Sequence, residues 1–281
     1  MERSDFAPTT FRFAHITALK IIDAGSSGPY KAIAATEATL PEYVVYRPMD
    51  LYAACDAEGK LPVIVFGNGG CVDSSLAHER VLSDIASHGY LIIAIGALEL
   101  VPRRERAHTP ASRLLDAIGW ITAQAADQAS EYFARVNTNR IAAMGQSCGG
   151  AQVVYAAADP RVTTAILFNA GMGELTMAGA DKESLRALHG PIVYIVGGPT
   201  DIAYANAELD YARIDHVPVA FTSLEQGGHM GTFAEGFGGS FARVARDWLD
   251  WQLNGRADHA AVFVAVDLTG YPGRTAKARN V

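Results

Sequence analysis

Arg140-Ile141-Ala142-Ala143-Met144-Gly145-Gln146-Ser147-Cys148-Gly149-Gly150 is the stretch that decides the fold. Residues 140–144 have strand character, and helical spacing begins at Cys148 and runs to about 158. Between them lies Gly-x-Ser-x-Gly, with Ser147 at its centre. A serine in a sharp strand-to-helix turn projects its hydroxyl above the sheet. Glycines two residues to either side remove side chains that would collide across so tight a turn. The helix beginning there aims free N–H groups and its positive dipole end at any oxyanion forming on a carbonyl attacked by Ser147. A Gly/Ser turn without chemistry is the plain alternative, and the strand-then-helix context argues against it.

Working outward, strand and helix patterns alternate. Residues 63–66 form an apolar run after Pro62, and Leu91–Ile95 and Ile192–Val196 are similar. Such runs fit strands buried on both faces of a parallel sheet. Further strands are expected at 163–168 and 217–223. Helices are expected over 74–88, 111–125, 182–188 and 240–253. The sequence predicts a mostly parallel central sheet with helices on both faces, an α/β class. Two β-like stretches, 31–40 and 43–46, have no helix between them, so that edge should be antiparallel. Residues 1–30 read as irregular, 55–60 as a loop, and the end of the chain as a tail. The reading is one domain over 1–281, with its core at about 31–255.

A serine nucleophile needs a base, and the base needs an orienting carboxylate. Asp201 follows the strand Ile192–Val196 through Gly197-Gly198-Pro199-Thr200. His229 follows residues 217–223 through Gln226-Gly227-Gly228. Both sit at C-terminal strand ends, where open α/β sheets place their ligand sites. Glu174, after the preceding strand, is the alternative acid. His78 and His88 fall in a helix flanking the sheet, and His216 at the wrong end of its strand.

Gly67-Asn68-Gly69-Gly70-Cys71 follows the strand at 63–66 and suits a loop that donates one N–H to an oxyanion. Gly70 is the favoured donor and Cys71 the next; the second donor is the N–H of Cys148, the residue after the nucleophile. Asn68 stands where a histidine is frequent in such loops, and its amide can tie the loop down. Cys71 and Cys148 thus flank one oxyanion hole. Two free buried thiols are the usual state of such cysteines. A bridge between the two loops is the other reading, and it would favour an oxidising compartment.

Composition narrows the function classes. Of 281 residues, 49% are hydrophobic and 19% charged, and the net charge is −7. A phosphate backbone would be repelled, so no nucleic-acid partner is expected. Apolar runs are strand length, so no membrane span is expected. Three cysteines make no metal pattern. The first residues lead into no apolar signal segment. The cytoplasm is the default location, with the periplasm or exterior to follow if a leader was removed. Oligomeric state is not readable.

With these motifs in hand, the chain resembles the α/β-hydrolases over roughly residues 31–255, and is similar to their dienelactone-hydrolase, cutinase and bacterial-esterase branch. The resemblance implies an α/β-hydrolase fold without a large cap and a Ser147–His229–Asp201 triad. It also implies hydrolysis of a small-molecule carboxylic ester through an acyl-enzyme, with no metal or organic cofactor. Dienelactone hydrolases proper carry cysteine at the elbow centre; serine stands here, so that activity is not implied. A peptidase, amidase or acyltransferase would use the same triad, and a non-catalytic binding protein would have lost a member of it. Only about 20 residues separate the strands at 163–168 and 192–196, too few for a large lid, so an open, shallow cleft is expected. Asn169, Met172, Met230 and Phe233 follow the site strands and either line an acyl pocket or simply pack. Arg103, Arg104 and Arg106 either meet a substrate carboxylate or form a solvated loop.

Overall fold

The computed structural model describes residues 15–264 and 266–281. Among them, ten strands form one sheet. In chain order the elements are β1 (Ile16–Lys20), β2 (Ala32–Glu37), β3 (Leu40–Pro48), α1 (Leu51–Glu58), β4 (Leu61–Gly67), α2 (Glu79–Ala86), β5 (Leu91–Ile95), α3 (Ser112–Ala126), β6 (Val136–Gln146), α4 (Cys148–Ala156), β7 (Val162–Phe168), β8 (Ile192–Val196), α5 (Tyr204–Arg213), β9 (Val219–Leu224), α6 (Gly239–Asn254), α7 (Ala261–Val264) and β10 (Arg274–Arg279). The spatial order is β1-β2-β3-β5-β4-β6-β7-β8-β9-β10. The six strands β5, β4, β6, β7, β8 and β9 are mutually parallel. The β1–β2–β3 edge and β10 run antiparallel. This is the α/β-hydrolase arrangement.

The apolar runs of the parallel strands are divided between two cores. Val63, Val65, Ile93, Ala143, Leu167 and Tyr194 point to one face, under α1, α3, α4 and α5. Ile64, Phe66, Ile92, Met144, Ile166 and Ile195 point to the other, under α2, α6 and α7. A strand covered on both faces needs apolar residues at every position, which is why these runs show no alternation. The largest buried side chain is Trp248 of α6. Its indole N–H donates to the Thr164 hydroxyl at 2.8 Å, so burying the ring leaves no orphan donor.

Four expectations change. Part of the stretch read as irregular is strand β1; residues 1–14 lie outside the described residues. Strand β10 was read as tail. Both are edges made by pairing rather than by apolar pattern: Arg-Thr-Ala-Lys-Ala-Arg joins β9 while Lys277 lies 4.7 Å from the Phe221 ring centre. The 55–60 loop is mostly α1, started by Asp50, whose carboxylate accepts the Ala53 N–H at 3.0 Å. The helix expected at 182–188 is one 3-10 turn, Ser184–Ala187.

Candidate active site

Strand β6 delivers Ser147 into the turn before α4 with φ 55° and ψ −120°. Such a backbone is strained for a residue with a Cβ, and it is tolerated here because both sides of the turn are packed. A Cβ on Gly145 would lie 2.4 Å from the Gly149 carbonyl oxygen, and one on Gly149 would lie 2.1 Å from that of Gly67. Only glycine fits either position. The sequence reading of the elbow therefore has a steric cause.

His229 Nε2 lies 2.9 Å from Ser147 Oγ, and His229 Nδ1 lies 2.7 Å from Asp201 Oδ1. The three side chains form one hydrogen-bonded line. Asp201 is buried. Burial alone would raise its pKa; hydrogen bonds from His229, the Ala203 N–H, Asn169 and the Gly197 N–H outweigh that and hold the carboxyl below its ordinary range. Asp201 is thereby kept as an anion facing the imidazole. Glu174, the alternative acid, is exposed and paired with Lys182 and Arg213, away from His229.

Two loops meet beside Ser147. The Cys71 N–H is spent on the Asn68 carbonyl at 3.0 Å. Among the described residues, no backbone carbonyl takes the N–H of Gly69, Gly70 or Cys148. The N–H groups of Gly70 and Cys148, and of Gly69 beside them, are therefore not spent on backbone, whereas that of Cys71, the second choice from sequence, is. Asn68 holds the loop as expected, donating to the carbonyls of Val72 at 2.9 Å and Ile95 at 2.7 Å. Cys71 and Cys148 are not free thiols: they form a disulfide with Cα atoms 5.1 Å apart. The bond ties the Gly67–Cys71 loop to the first residue of α4.

A model of the PET hydrolase-like family matches residues 22–250. The chain belongs to that family. Its members are ester hydrolases on the α/β-hydrolase fold, related to cutinases and dienelactone hydrolases, and this chain is a hydrolase of that kind. A comparison with curated proteins returns no significant match.

Other expected residues are placed differently in this PET hydrolase-like chain. Asn169 does not line an open cleft: it is fully buried and donates to Asp201. Met172 is buried beneath its loop, with its N–H bound to Asp210, so it packs rather than lines a cleft. Phe233 is buried against Phe168 and Phe241. Met230 remains half exposed next to His229. Arg103 pairs with Asp73 and Glu99, and Arg106 with Glu99, so internal carboxylates already occupy both guanidinium groups. His78 is buried between the Phe66 and Phe233 rings. Gln146, which carried no sequence signal, donates to the His229 carbonyl at 3.1 Å.

Proposed function

We propose that the protein is a serine esterase acting through Ser147, His229 and Asp201. The observation that carries this is the continuous hydrogen-bonded line from Asp201 through His229 to the Ser147 hydroxyl. His229 accepts the Ser147 proton as the hydroxyl oxygen attacks an ester carbonyl. Asp201 holds the imidazole tautomer and balances the imidazolium. The N–H of Cys148 and one from the Gly69–Gly70 pair receive the oxyanion. His229 returns its proton to the departing alcohol, then activates the water that releases the acid from Ser147. Family membership favours esters over amides.

Breadth of substrate follows from the rim. The segment between β7 and β8 contributes one short 3-10 helix rather than a lid. Ile202 and Met230, next to the acid and the base, are 80% and 50% exposed. We read this as an open apolar cleft that accepts bulky esters, including segments of polyester of the kind named in the family's description. The Cys71–Cys148 bond supports work in an oxidising compartment over the cytoplasm.

Ser147→Ala should lower kcat by at least about 10³-fold with the fold intact. Labelling by a fluorophosphonate should vanish in the same variant. Retention of most activity refutes the assignment. A p-nitrophenyl ester series run beside aminoacyl anilides tests ester preference, and sharply lower rates on bulky esters than on short ones refute the open cleft.

A further inference from the structure

The loop that carries His229 is anchored at its two ends, by the Glu225 N–H on the Gly273 carbonyl at 2.8 Å and by buried Phe233 against Phe168 and Phe241, with His229 between them. It leaves β9 at Leu224 and contains Gly227, Gly228 and Gly231, of which Gly228 and Gly231 have φ of 60° and 50°. Glycines leave a backbone with more conformations than any other residue. One main-chain bond ties the loop to the neighbouring strand end, from the Gly228 N–H to the Gly197 carbonyl at 2.7 Å. That bond does not reach the carbonyls on either side of the His229 α-carbon; the Gly228 carbonyl accepts the Gly231 N–H at 3.2 Å, a contact inside the loop that ties it to no strand.

Two side-chain amides take up those carbonyls. Asn169, the first residue after β7, donates from Nδ2 to the Gly228 carbonyl at 3.0 Å and to Asp201 Oδ2 at 2.7 Å. Both neighbours only accept, so the NH2 of the amide must face them. Gln146, the last residue of β6, donates to the His229 carbonyl, the next one along the chain. Both amides are buried, where water cannot replace them. Asn169 itself sits at φ 45°, a conformation asparagine tolerates better than most residues, with its N–H bound to the Ile195 carbonyl.

We infer that Asn169 and Gln146 are positioning residues that clamp consecutive carbonyls of the Gly228-His229 segment, with Asn169 fixing Asp201 in the same stroke. Acid and base are then referred to β6 and β7, the strands whose ends lie beside Ser147. The inference rests on the triad reading above. A hydroxyl in place of the Asn169 amide has one hydrogen to donate and could not serve both Asp201 and the Gly228 carbonyl, which separates this role from ordinary packing.

The test compares Asn169→Gly, Gln146→Met and Ser147→Ala by kcat, KM, pH profile and melting temperature on one p-nitrophenyl ester. Glycine accepts the positive φ, so the first variant removes the amide without backbone strain. Methionine keeps the bulk of glutamine without its donor. Losing one hydrogen bond to a charged group should lower kcat of Asn169→Gly by about 10- to 100-fold, with KM within about twofold. Its acid limb should move to higher pH, because Asp201 loses one of the bonds that hold its carboxyl down; the titratable groups in this line are Asp201 and His229, with buried His78 behind Gln146. Gln146→Met should lose about 10-fold in kcat with KM unchanged. A purely structural role would lower the melting temperature and leave both readouts in place. If Ser147→Ala is inactive while both amide variants keep kcat and pH profile, the clamp is refuted and the triad stands. If Ser147→Ala is active, the triad reading fails first. Should Asn169→Gly not fold, Gln146→Met decides alone, and an unchanged kcat overturns the clamp.

Discussion

Replacing both bridged cysteines, as Cys71→Ala/Cys148→Ala, tests how much of the site depends on one covalent bond. The bond closes a loop spanning 77 positions. In the chain-entropy treatment, freeing such a loop in the unfolded chain costs the native state about 4.5 kcal/mol at 25 °C, and about 2 kcal/mol where the unfolded chain keeps residual structure. A chain of 281 residues has an unfolding entropy of about 590 cal/mol/K. Dividing the two gives a fall in Tm of about 3–8 °C. Differential scanning calorimetry without reductant reads it directly. Dithiothreitol should bring the parent to the same Tm and leave the variant unmoved. Intact mass of the native parent should rise by two hydrogens on reduction. A Tm change under about 1 °C, with no such mass change, refutes the bond and with it the argument for an oxidising compartment.

His78 should make stability depend on pH. Burial, partly offset by contact with Gln146, lowers its pKa to about 4 from an ordinary 6.5. The unfolded chain therefore takes up a proton near pH 6.5 that the folded chain refuses until about 4. Stability should fall over that window by up to about 3 kcal/mol as pH drops. His88 is lowered to about 4 as well, so the measurement is the difference between parent and His78→Phe in urea unfolding from pH 7 to 4. Parallel curves refute the assignment. Asp210→Ala should cost about 2–4 kcal/mol, because the buried carboxylate accepts the N–H groups of Met172 and Gly173 and both would be orphaned. A loss under about 1 kcal/mol in urea unfolding counts against it.

Much of the site was legible because its parts carry local signatures. The elbow, Asp201 and His229 each follow an apolar run through glycines, and each lies where that pattern placed it. What stayed hidden depends on contact between distant segments. Asn169 and Gln146 belong to no motif; each is an amide at a strand end, and only the fold brings them to the carbonyls of residues 228 and 229. The choice between thiols and disulfide for Cys71 and Cys148 required the distance between two loops. Met172 and Phe233 were read as possible lining because apolar residues after site strands look alike whether they turn outward or inward. Strands β1 and β10 escaped because edge strands need a partner more than a pattern.

The alignment of Ser147, His229 and Asp201 has its origin in sheet register. Gly67, Gly145, Leu167, Tyr194 and Phe221 lie side by side across β4, β6, β7, β8 and β9. Ser147 and Asn169 leave the sheet two residues beyond that row, as neighbours, and the Asp201 and His229 loops start from the next strands. A slip of one residue in any strand would carry its loop along and exchange its two faces. Polarity cannot prevent such a slip here, since both faces of these strands are apolar. Shape and a few polar pins must do so. Thr164 is one: its hydroxyl donates to the Pro191 carbonyl at 2.7 Å, just before β8, while accepting from Trp248 of α6. That contact locks β7, β8 and α6 at the end of the sheet opposite Ser147. The Ser147–His229–Asp201 line is therefore flanked at both ends of the strands by polar contacts, from Thr164 below and from the amides of Gln146 and Asn169 above.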